Sequence, residues 1–186
     1  MQQYLIMQSE IKKLCKKIKL IILDVDGVLT NGKIIISSSG EESKAFCVED
    51  GTGAAIAHFA LLPFIFLSGR YSKSTEIRAK ELKAKDCFQN VLDKKNKLDE
   101  IRKKLNIQFG EIAYAGDGLV DIPVLEAVGF PISVPNAHNA VKEKAKYITK
   151  SKGGDGVFHE IVELILINQD RYEDTINIMK KKIFKV

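Results

Sequence analysis

The segment Asp24-Val25-Asp26-Gly27-Val28-Leu29-Thr30 directly follows the apolar run Leu20-Ile21-Ile22-Leu23. A short apolar run that ends in a glycine-containing turn predicts a buried β-strand followed by a loop. Side chains at positions i and i+2 of an extended chain point to the same side, so Asp24 and Asp26 are expected to face a common space. In open α/β sheets, ligands bind beyond the carboxyl ends of the strands. The segment therefore predicts a chemical site at the end of this strand.

Two carboxylates this close repel each other by roughly a few kcal/mol at intermediate dielectric unless a cation lies between them. Hard oxygen ligands with no neighbouring His or Cys favour Mg²⁺ over zinc. The alternative for an isolated Asp-x-Asp is a solvated turn. Its position at the end of a predicted strand favours the functional interpretation.

The bulk properties predict a single domain over residues 1–186, because a chain of this length buries a core without disulfides. The apolar (45%) and charged (28%) fractions are ordinary for globular proteins. No apolar run has the length of a membrane span, and residues 1–19 lack a signal-peptide core. We therefore expect a cytoplasmic protein. Cys15, Cys47 and Cys87 are odd in number and widely spaced, which argues against disulfides or a cysteine metal site.

The net charge of +5 comes largely from lysines in predicted helices and in residues 180–185. Nucleic-acid recognition needs clustered cations together with aromatic or groove-reading side chains. Aromatic residues make up only 8% of the chain, and Trp is absent. We expect no nucleic-acid or membrane partner, and a solvated basic surface that favours an anionic substrate.

Short apolar strands alternate with helical patterns, which predicts a Rossmann-like α/β fold with a parallel sheet and helices on both faces. Right-handed crossovers bring the carboxyl ends of such strands to one rim. The predicted strands are residues 19–23, 63–67, 86–88, 111–115 and 130–134. The predicted helices are residues 53–60, 72–82, 94–105, 120–127, 139–146 and 157–167.

Residues 33–48 interrupt this alternation and predict a protruding β-hairpin. Lys33-Ile34-Ile35-Ile36 and Lys44-Ala45-Phe46-Cys47 flank a turn at Ser39-Gly40. An isolated two-stranded hairpin is not stable in water. The hairpin is therefore expected to pack on another surface, and a partner subunit is one candidate.

The segment Gly153-Gly154-Asp155-Gly156 breaks the chain before the apolar helix predicted at residues 157–167. One interpretation is a flexible start of that helix. The other is a flap close to an anionic ligand. The residues alone leave both open.

Further polar groups fall at the ends of predicted strands. Ser68-Gly69-Arg70 follows the strand at residues 63–67 and offers a hydroxyl and backbone N–H groups to a phosphate. Lys94 opens a helix at the same rim, and the segment Gly116-Asp117-Gly118-Leu119-Val120-Asp121 places carboxylates at a strand end and in the first helical turn. Each feature alone is explained by a common turn, a solvated lysine or a helix cap. The ordered set is far less expected by chance.

The sequence at this point resembles the haloacid dehalogenase-like phosphatases, whose motifs are Asp-x-Asp, Ser, Lys and Gly-Asp-x-x-x-Asp in this order. The resemblance covers residues 19–168 and is strongest to a small, nearly capless branch; residues 1–18 and 169–186 lie outside it. It is carried by Asp24-Val25-Asp26-Gly27-Val28-Leu29-Thr30-Asn31-Gly32, Gly40-Glu41-Glu42-Ser43-Lys44-Ala45-Phe46, Asp50-Gly51, Ser68-Gly69-Arg70, Ala113-Tyr114-Ala115-Gly116-Asp117 and Gly153-Gly154-Asp155-Gly156.

The resemblance implies a Mg²⁺-dependent phosphatase that acts on a phosphorylated sugar acid, 3-deoxy-D-manno-octulosonate (KDO) 8-phosphate, in lipopolysaccharide precursor synthesis. It also implies a homotetramer, in which the hairpin at residues 33–48 stands in place of a cap domain and a neighbouring subunit covers the active site. The orphan hairpin and the glycine-rich segment would both gain partners in such an assembly.

The resemblance further implies roles for the three metal-site aspartates. Asp24 is the expected nucleophile, which becomes an aspartyl-phosphate. Asp26 is the expected general acid and base, and it would also ligate Mg²⁺ through its main-chain carbonyl. Asp117 would complete a metal site formed with Asp24 and Asp26.

The remaining motif residues are implied at the phosphate and the substrate. Ser68 and Lys94 are expected to hold phosphoryl oxygens, and the spacing from Leu105-Asn106-Ile107 favours Lys94 over Lys95 or Lys97. Asp121 would orient Lys94 or a metal-bound water. The residues implied at the substrate are Gly69, Arg70 and Asp50.

Some positions depart from the family pattern. Gly118 stands where a second aspartate often follows the first, which predicts weaker Mg²⁺ binding. His159 and Glu49 stand where relatives often carry arginine, which bears on the choice of substrate rather than on the reaction. Arg70 fits the KDO 8-phosphate branch, since the related sialic-acid 9-phosphate enzymes tend to place an acid there.

Three alternatives stay open on the sequence. The first keeps the chemistry and changes the substrate to a nine-carbon sialic-acid-type 9-phosphate. The second is a receiver-like phospho-acceptor signalling domain, for which Asp93 would be the acceptor at the end of the third strand of the sheet. The third is a noncatalytic scaffold, motivated by Gly118.

Overall fold

The computed structural model describes residues 2–184, and it describes side chains for residues 8–183. Its strands are β1 (Leu20–Leu23), β2 (Ile35–Ile36), β3 (Glu42–Ser43), β4 (Phe64–Leu67), β5 (Asp86–Phe88), β6 (Ile112–Ala115), β7 (Phe130–Ser133) and β8 (Tyr147–Ile148). Six of them form one parallel sheet in the order β5-β4-β1-β6-β7-β8. Strands β2 and β3 pair separately and antiparallel. The predicted Rossmann-like α/β fold is confirmed.

The helices are α1 (Gln2–Cys15), α2 (Glu49–Phe59), α3 (Lys73–Glu81), α4 (Lys94–Leu105), α5 (Ile122–Leu125), α6 (Asn139–Lys142), α7 (Val157–Asn168) and α8 (Tyr172–Phe184). Helices α1, α2, α7 and α8 contact one another as one group, and α4 contacts α5. Among the residues that the structure describes, no helix combines the length and the apolar character needed to cross a membrane.

The sheet forms because its strands are apolar on both faces. Every residue of β1, β4, β6 and β7 is buried, as expected for a parallel sheet covered by helices. Strand β1 lies between β4 and β6, with Ile22 paired to Ile65 on one side and to Tyr114 on the other. The strands of this sheet that follow β1 in the chain are therefore added first on one side of it and then on the other. Ligands of such sheets bind at the carboxyl ends of the strands where the strand order reverses in this way.

All five predicted sheet strands are present within one residue at each end. The short edge strand β8 and helices α1 and α8 were not predicted. Helix α2 begins at Glu49, four residues before the predicted start at residue 53. Gly51 and Gly53 lower the helix propensity of the first turns, so the sequence pattern did not predict this part of the helix. Gly53 has a packing role there, since an added Cβ would lie 2.6 Å from the Cα of His159 in α7.

The hairpin is present, but its second strand differs from the prediction. Ile35 pairs with Ser43 and Ile36 with Glu42, and Gly40 holds the turn at φ +84°. The predicted strand at residues 44–47 leaves the ladder. Its side chains contact the rest of the molecule instead. Lys44 forms a buried ion pair with Asp26, and Phe46 packs against the core.

Candidate active site

The predicted motif residues meet at one rim of the sheet. Asp24 directly follows β1, and Ser68 directly follows β4 on one side of it. Asp117 follows β6 on the other side, and Lys94 begins α4 after β5. The parallel topology therefore gathers groups that are far apart in sequence at the carboxyl ends of neighbouring strands.

Asp24 is buried and held at both carboxylate oxygens. Its Oδ1 accepts a hydrogen bond of 2.7 Å from the backbone N–H of Val25, and its Oδ2 lies 2.9 Å from Nζ of Lys94. Burial raises the pKa of Asp24 to about 8; Lys94 opposes the shift, while Asp121 and Asp117 add to it. A negative charge at Asp24 is costly in this site unless more positive charge is supplied.

Lys94 is the lysine that the fold brings into the site. Its side chain is 1% exposed, and Nζ lies 2.7 Å from Oδ1 of Asp121 as well as close to Asp24. Burial lowers the pKa of Lys94, but the two carboxylates outweigh that effect and raise it. Lys97, the alternative, pairs instead with Glu100 on the surface of α4.

Asp121 is fully buried and acts as a hub of hydrogen bonds. Its Oδ1 accepts from Lys94 and, at 2.6 Å, from the hydroxyl of Tyr114, while Oδ2 accepts from the backbone N–H groups of Asp117 and Gly118. No role was predicted for Tyr114. Its signal is a polar side chain inside the otherwise apolar, fully buried strand β6. Asp121 therefore fixes both the lysine and the loop that carries Asp117.

Asp117 lies against the loop that follows β1. Gly27 in that loop has φ +96°, and a Cβ added to it would stand 2.0 Å from Oδ2 of Asp117. Burial, together with the charge of Asp121, raises the pKa of Asp117 to about 6. Only glycine at position 27 allows this approach, so the Asp-x-Asp-Gly motif has a steric as well as a chemical basis.

These carboxylates fit a divalent cation. One oxygen each of Asp24, Asp117 and Asp121 lie within 4.8 Å of one another. Hard oxygen donors of this kind suit Mg²⁺. Burial raises the pKa of both Asp24 and Asp117, so a cation beside them would favour their charged forms. Because Asp121 already accepts four hydrogen bonds, Asp24 and Asp117 are the carboxylates available to a cation.

The side chain of Asp26 points to a different partner. Its Oδ1 lies 2.5 Å from Nζ of Lys44, a residue of the hairpin segment that the sequence analysis did not single out. Its Oδ2 is buried and has no hydrogen-bond partner among the described side chains and backbone of residues 2–184. The predicted metal contact of Asp26 was through its main-chain carbonyl, so the ion pair leaves that role open.

Ser68 and Arg70 lie at the end of β4. Ser68 is buried, and its Oγ accepts a hydrogen bond of 3.2 Å from the N–H of Arg70. The guanidinium of Arg70 is half exposed and donates to Oε2 of Glu42 at 2.7 Å. Gly69 between them is half-buried. The hairpin and the end of β4 are thus joined by a charged contact beside the rim.

Asp50, for which the resemblance implies a substrate contact, lies beside the start of α7 in this structure. Its side chain is buried, and Oδ1 accepts from the N–H groups of Phe158 and His159 at 2.9 and 3.3 Å, which caps the start of α7. These hydrogen bonds give Asp50 a structural role within the chain, and its contact with substrate stays a prediction. Burial raises the pKa of Asp50 to about 6.

His159 and Glu49 face each other, with 3.6 Å between Nδ1 of His159 and Oε2 of Glu49, on a groove of about 500 Å³ beside α7.

The glycine-rich segment is packed on the loop that follows β1. The N–H of Gly153 donates to Oδ1 of Asn136 at 2.7 Å, and Nδ2 of Asn136 donates to the carbonyl of Gly27 at 3.1 Å. The N–H of Gly154 donates to the carbonyl of Val28. In this structure the segment therefore lies beside the site, and both interpretations, a flexible helix start and a flap close to an anionic ligand, stay predictions. Asn136, which had no motif signal, links the segment to the site.

Known proteins are similar to this chain in sequence and in fold. The model of the haloacid dehalogenase-like hydrolase family matches residues 66–161. The chain belongs to this family. A curated relative, the 3-deoxy-D-manno-octulosonate 8-phosphate phosphatase KdsC of Yersinia pestis, is 39% identical over 156 residues, which cover 84% of this chain and 83% of the relative.

Solved structures of haloacid dehalogenase-like hydrolases show the same fold. The 3-deoxy-D-manno-octulosonate 8-phosphate phosphatase of Moraxella catarrhalis, in complex with magnesium, phosphate and KDO, is 39% identical with a TM-score of 0.88, over 91% of this chain and 97% of that one. The cobalt-bound deoxy-D-mannose-octulosonate 8-phosphate phosphatase (YrbI) of Haemophilus influenzae is 34% identical with a TM-score of 0.81, over 84% of this chain and 92% of that one.

Proposed function

We propose that this hydrolase releases phosphate from KDO 8-phosphate by way of an aspartyl-phosphate on Asp24, in the synthesis of lipopolysaccharide precursors. The observation that carries the proposal is the buried Lys94 ammonium held between Asp24 and Asp121 at the rim of the sheet. The substrate is supported by relatives that carry this activity in their names and that align over most of the chain.

The first task of the site is to let one anion attack another. A carboxylate about 4 Å from a phosphate dianion meets roughly 8 kcal/mol of repulsion at an effective dielectric near 20. Lys94 offsets part of it, since its ammonium lies 2.9 Å from Asp24. Ser68, buried at the end of β4, offers a hydroxyl for a phosphoryl oxygen. Phosphoryl transfer depends mainly on such positioning and charge stabilisation.

Mg²⁺ is the proposed cofactor. The carboxylates of Asp24 and Asp117 and the main chain of Asp26 would hold it, and it would supply charge neutralisation at the phosphoryl group. Gly118 does not exclude a side chain, because an added Cβ would meet its nearest neighbours at 3.6 Å, an ordinary contact. The missing second carboxylate is therefore a property of this sequence and not a steric requirement of the fold.

Two displacements at phosphorus complete the reaction. In the first, an oxygen of Asp24 bonds to phosphorus, the bond to the sugar oxygen breaks, and Asp26 gives its proton to the departing alkoxide. In the second, water bonds to phosphorus, Asp26 takes a proton from the water, and the bond to Asp24 breaks. This covalent strategy suits a carboxylate nucleophile, and Asp26 alternates between acid and base.

The test is release of phosphate from KDO 8-phosphate by the pure protein, with Mg²⁺ and with EDTA. We expect turnover that requires the metal. A nine-carbon sialic-acid-type 9-phosphate assayed in parallel separates the two candidate substrates. A clear preference for the nine-carbon acid would overturn the KDO assignment and leave the phosphatase chemistry in place.

The receiver-like alternative is disfavoured by Asp93. This residue is exposed, and its side chain accepts a hydrogen bond of 3.0 Å from the N–H of Asn96, which caps α4. It therefore stands outside the buried carboxylate group of the rim. Multiple turnover of a phosphate ester is the corresponding experiment, because a phospho-acceptor domain would stop after one equivalent.

We further propose that the hairpin assembles four copies of the chain into a homotetramer in which a neighbour covers the active site. Ile35 and Ile36 are 54% and 64% exposed, on strands of two residues each. Such a short hairpin is not stable without a packing surface. Sedimentation of Ile36→Lys should show smaller species than the unsubstituted chain. Ile77→Lys, at an exposed position of α3, is the matched control and should sediment as a tetramer.

A further inference from the structure

Lys44 is an unusual residue for an exposed hairpin. Residues 31–41 and the neighbours Ser43 and Ala45 are all exposed, whereas the side chain of Lys44 is 2% exposed. A lysine is rarely buried unless its charge is paired. The partner is Oδ1 of Asp26, at 2.5 Å. The hairpin therefore delivers a buried ammonium to one of the two motif aspartates.

The two carboxylate oxygens of Asp26 have different surroundings. Oδ1 is held by Lys44, whereas Oδ2 is buried and has no partner among the residues that the structure describes. Buried polar atoms without a partner are uncommon, and each one calls for an explanation. A group that exchanges a proton with substrate needs one oxygen fixed and the other free, which is the state of Asp26.

Lys44 is itself held in place. Oε1 of Glu42 lies 3.7 Å from its Nζ, and Oε2 of Glu42 accepts from Arg70 at 2.7 Å. A chain of alternating charge thus runs from Arg70 at the end of β4, through Glu42 and Lys44, to Asp26 after β1. The ion pair with Asp26 is braced from the hairpin and from a second sheet strand, so its direction is fixed.

We propose that Lys44 is a positioning residue that orients the Asp26 carboxylate so that Oδ2 is the oxygen that gives the proton to the leaving group and later takes it from water. The inference rests on the proposed role of Asp26 as general acid and base. It adds to the reaction a residue to which the resemblance assigned no role, and it links the hairpin to the chemistry through Asp26.

The leaving group provides the test. The value of kcat/KM reports the first displacement. p-Nitrophenolate is a weak base and leaves without receiving a proton, whereas phenolate is a stronger base and leaves faster when it receives one. The two aryl phosphates differ only in the para-nitro group and both lack the sugar, so sugar contacts do not enter. We expect Lys44→Met to lower kcat/KM about 10- to 100-fold for phenyl phosphate and by less than about 3-fold for p-nitrophenyl phosphate. The matched control Lys33→Met removes an exposed lysine of the same hairpin and should change neither value.

A double variant tests whether Lys44 acts through Asp26. We expect Asp26→Asn to show the same leaving-group selectivity, and Lys44→Met added to it to cost less than about 3-fold more, since coupled residues are not additive. Equal losses of kcat/KM on both aryl phosphates in Lys44→Met, or a full additional loss in the double variant, would overturn the inference.

If Asp26→Asn itself shows no selectivity between the two leaving groups, the acid-base role of Asp26 fails and the inference fails with it. If the aryl phosphates behave as expected while KDO 8-phosphate is not hydrolysed, only the substrate assignment fails.

Discussion

The rim of the sheet and the hairpin hold charged groups in opposite ways. At the rim, Asp24, Lys94 and Asp121 are buried among apolar strands, and each is held by groups from several elements. In the hairpin, strands of two residues lie in solvent with isoleucines exposed, and only a few side chains, among them Lys44 and Phe46, turn inward. The rim is positioned by the core, whereas the hairpin depends on its contacts with the site and on a proposed neighbour. In the proposed mechanism, the core carries the phosphoryl chemistry, and the hairpin serves the leaving group and the proposed assembly.

The largest effect is expected from the nucleophile. Asp24→Asn removes the attacking carboxylate and should lower the rate of phosphate release by about 10⁴-fold or more. Because burial raises the pKa of Asp24, the neutral side chain should fold as well as the carboxylate. Phosphate release with KDO 8-phosphate and thermal unfolding are the measurements. An unchanged rate in the presence of Mg²⁺ would favour the noncatalytic scaffold and refute the mechanism.

Lys94 and Lys97 provide a matched pair on helix α4. Lys94→Met leaves Asp24 and Asp121 buried without their cation, and removal of one partner from a buried ion pair costs about 3–5 kcal/mol. Lys97→Met removes a lysine whose partner is Glu100 on the surface and should change stability by less than about 0.5 kcal/mol. Urea unfolding and phosphate release measure the two effects. Similar losses in both variants would show that the buried rim is not the sensitive region.

Gly27 and Gly40 compare the rim and the hairpin directly, since both have positive φ. Alanine at such an angle costs about 1–2 kcal/mol. Gly27→Ala should also displace Asp117, because its Cβ would stand 2.0 Å from Oδ2, and so raise the Mg²⁺ concentration needed for activity. Gly40→Ala meets no atom within 4 Å and should lose stability alone. An unchanged Mg²⁺ requirement in Gly27→Ala would count against Asp117 as a ligand.

The last prediction concerns the pH dependence of stability at Asp50. Burial raises its pKa from an ordinary value of 3.8 to about 6. A raised folded pKa favours the folded state below the unfolded value, and this contribution is lost as pH rises through the folded value. Between about pH 4 and 6.5, unsubstituted protein should therefore lose on the order of 2 kcal/mol relative to Asp50→Asn. Urea unfolding across this range is the measurement, and parallel stability curves would contradict the expectation.

The sheet was predictable because its strands are short, apolar on both faces and separated by helical patterns. Strand β8 escaped prediction because Tyr147–Ile148 is a two-residue edge strand with too little pattern to read. The hairpin register differed for another reason. Residues 44–47 alternate like a strand, but the burial of Lys44 and Phe46 turns them away from the ladder. A local pattern does not say which partner a side chain will find.

The motif residues were predictable because chemistry restricts their type and spacing. Their supporting partners were not, since Tyr114, Asn136 and Lys44 carry no spacing signal and act only through contacts across the fold. Asp50 shows the opposite case. It belongs to a motif by sequence, yet the fold places its carboxylate at the start of α7, where the backbone N–H groups of Phe158 and His159 need an acceptor.

The fold class, the order of the motifs and the aspartates at the end of the first strand could be predicted from the amino-acid sequence, because hydrophobic periodicity and motif spacing are local properties. The completion of the site depends on contacts that form only in the folded chain. The tertiary structure favoured Lys94 over Lys97, made Asp121 a hub rather than an open carboxylate, and paired Asp26 with Lys44. These outcomes depend on burial and on distances between distant segments, and a carboxylate has no fixed role until its neighbours are in place.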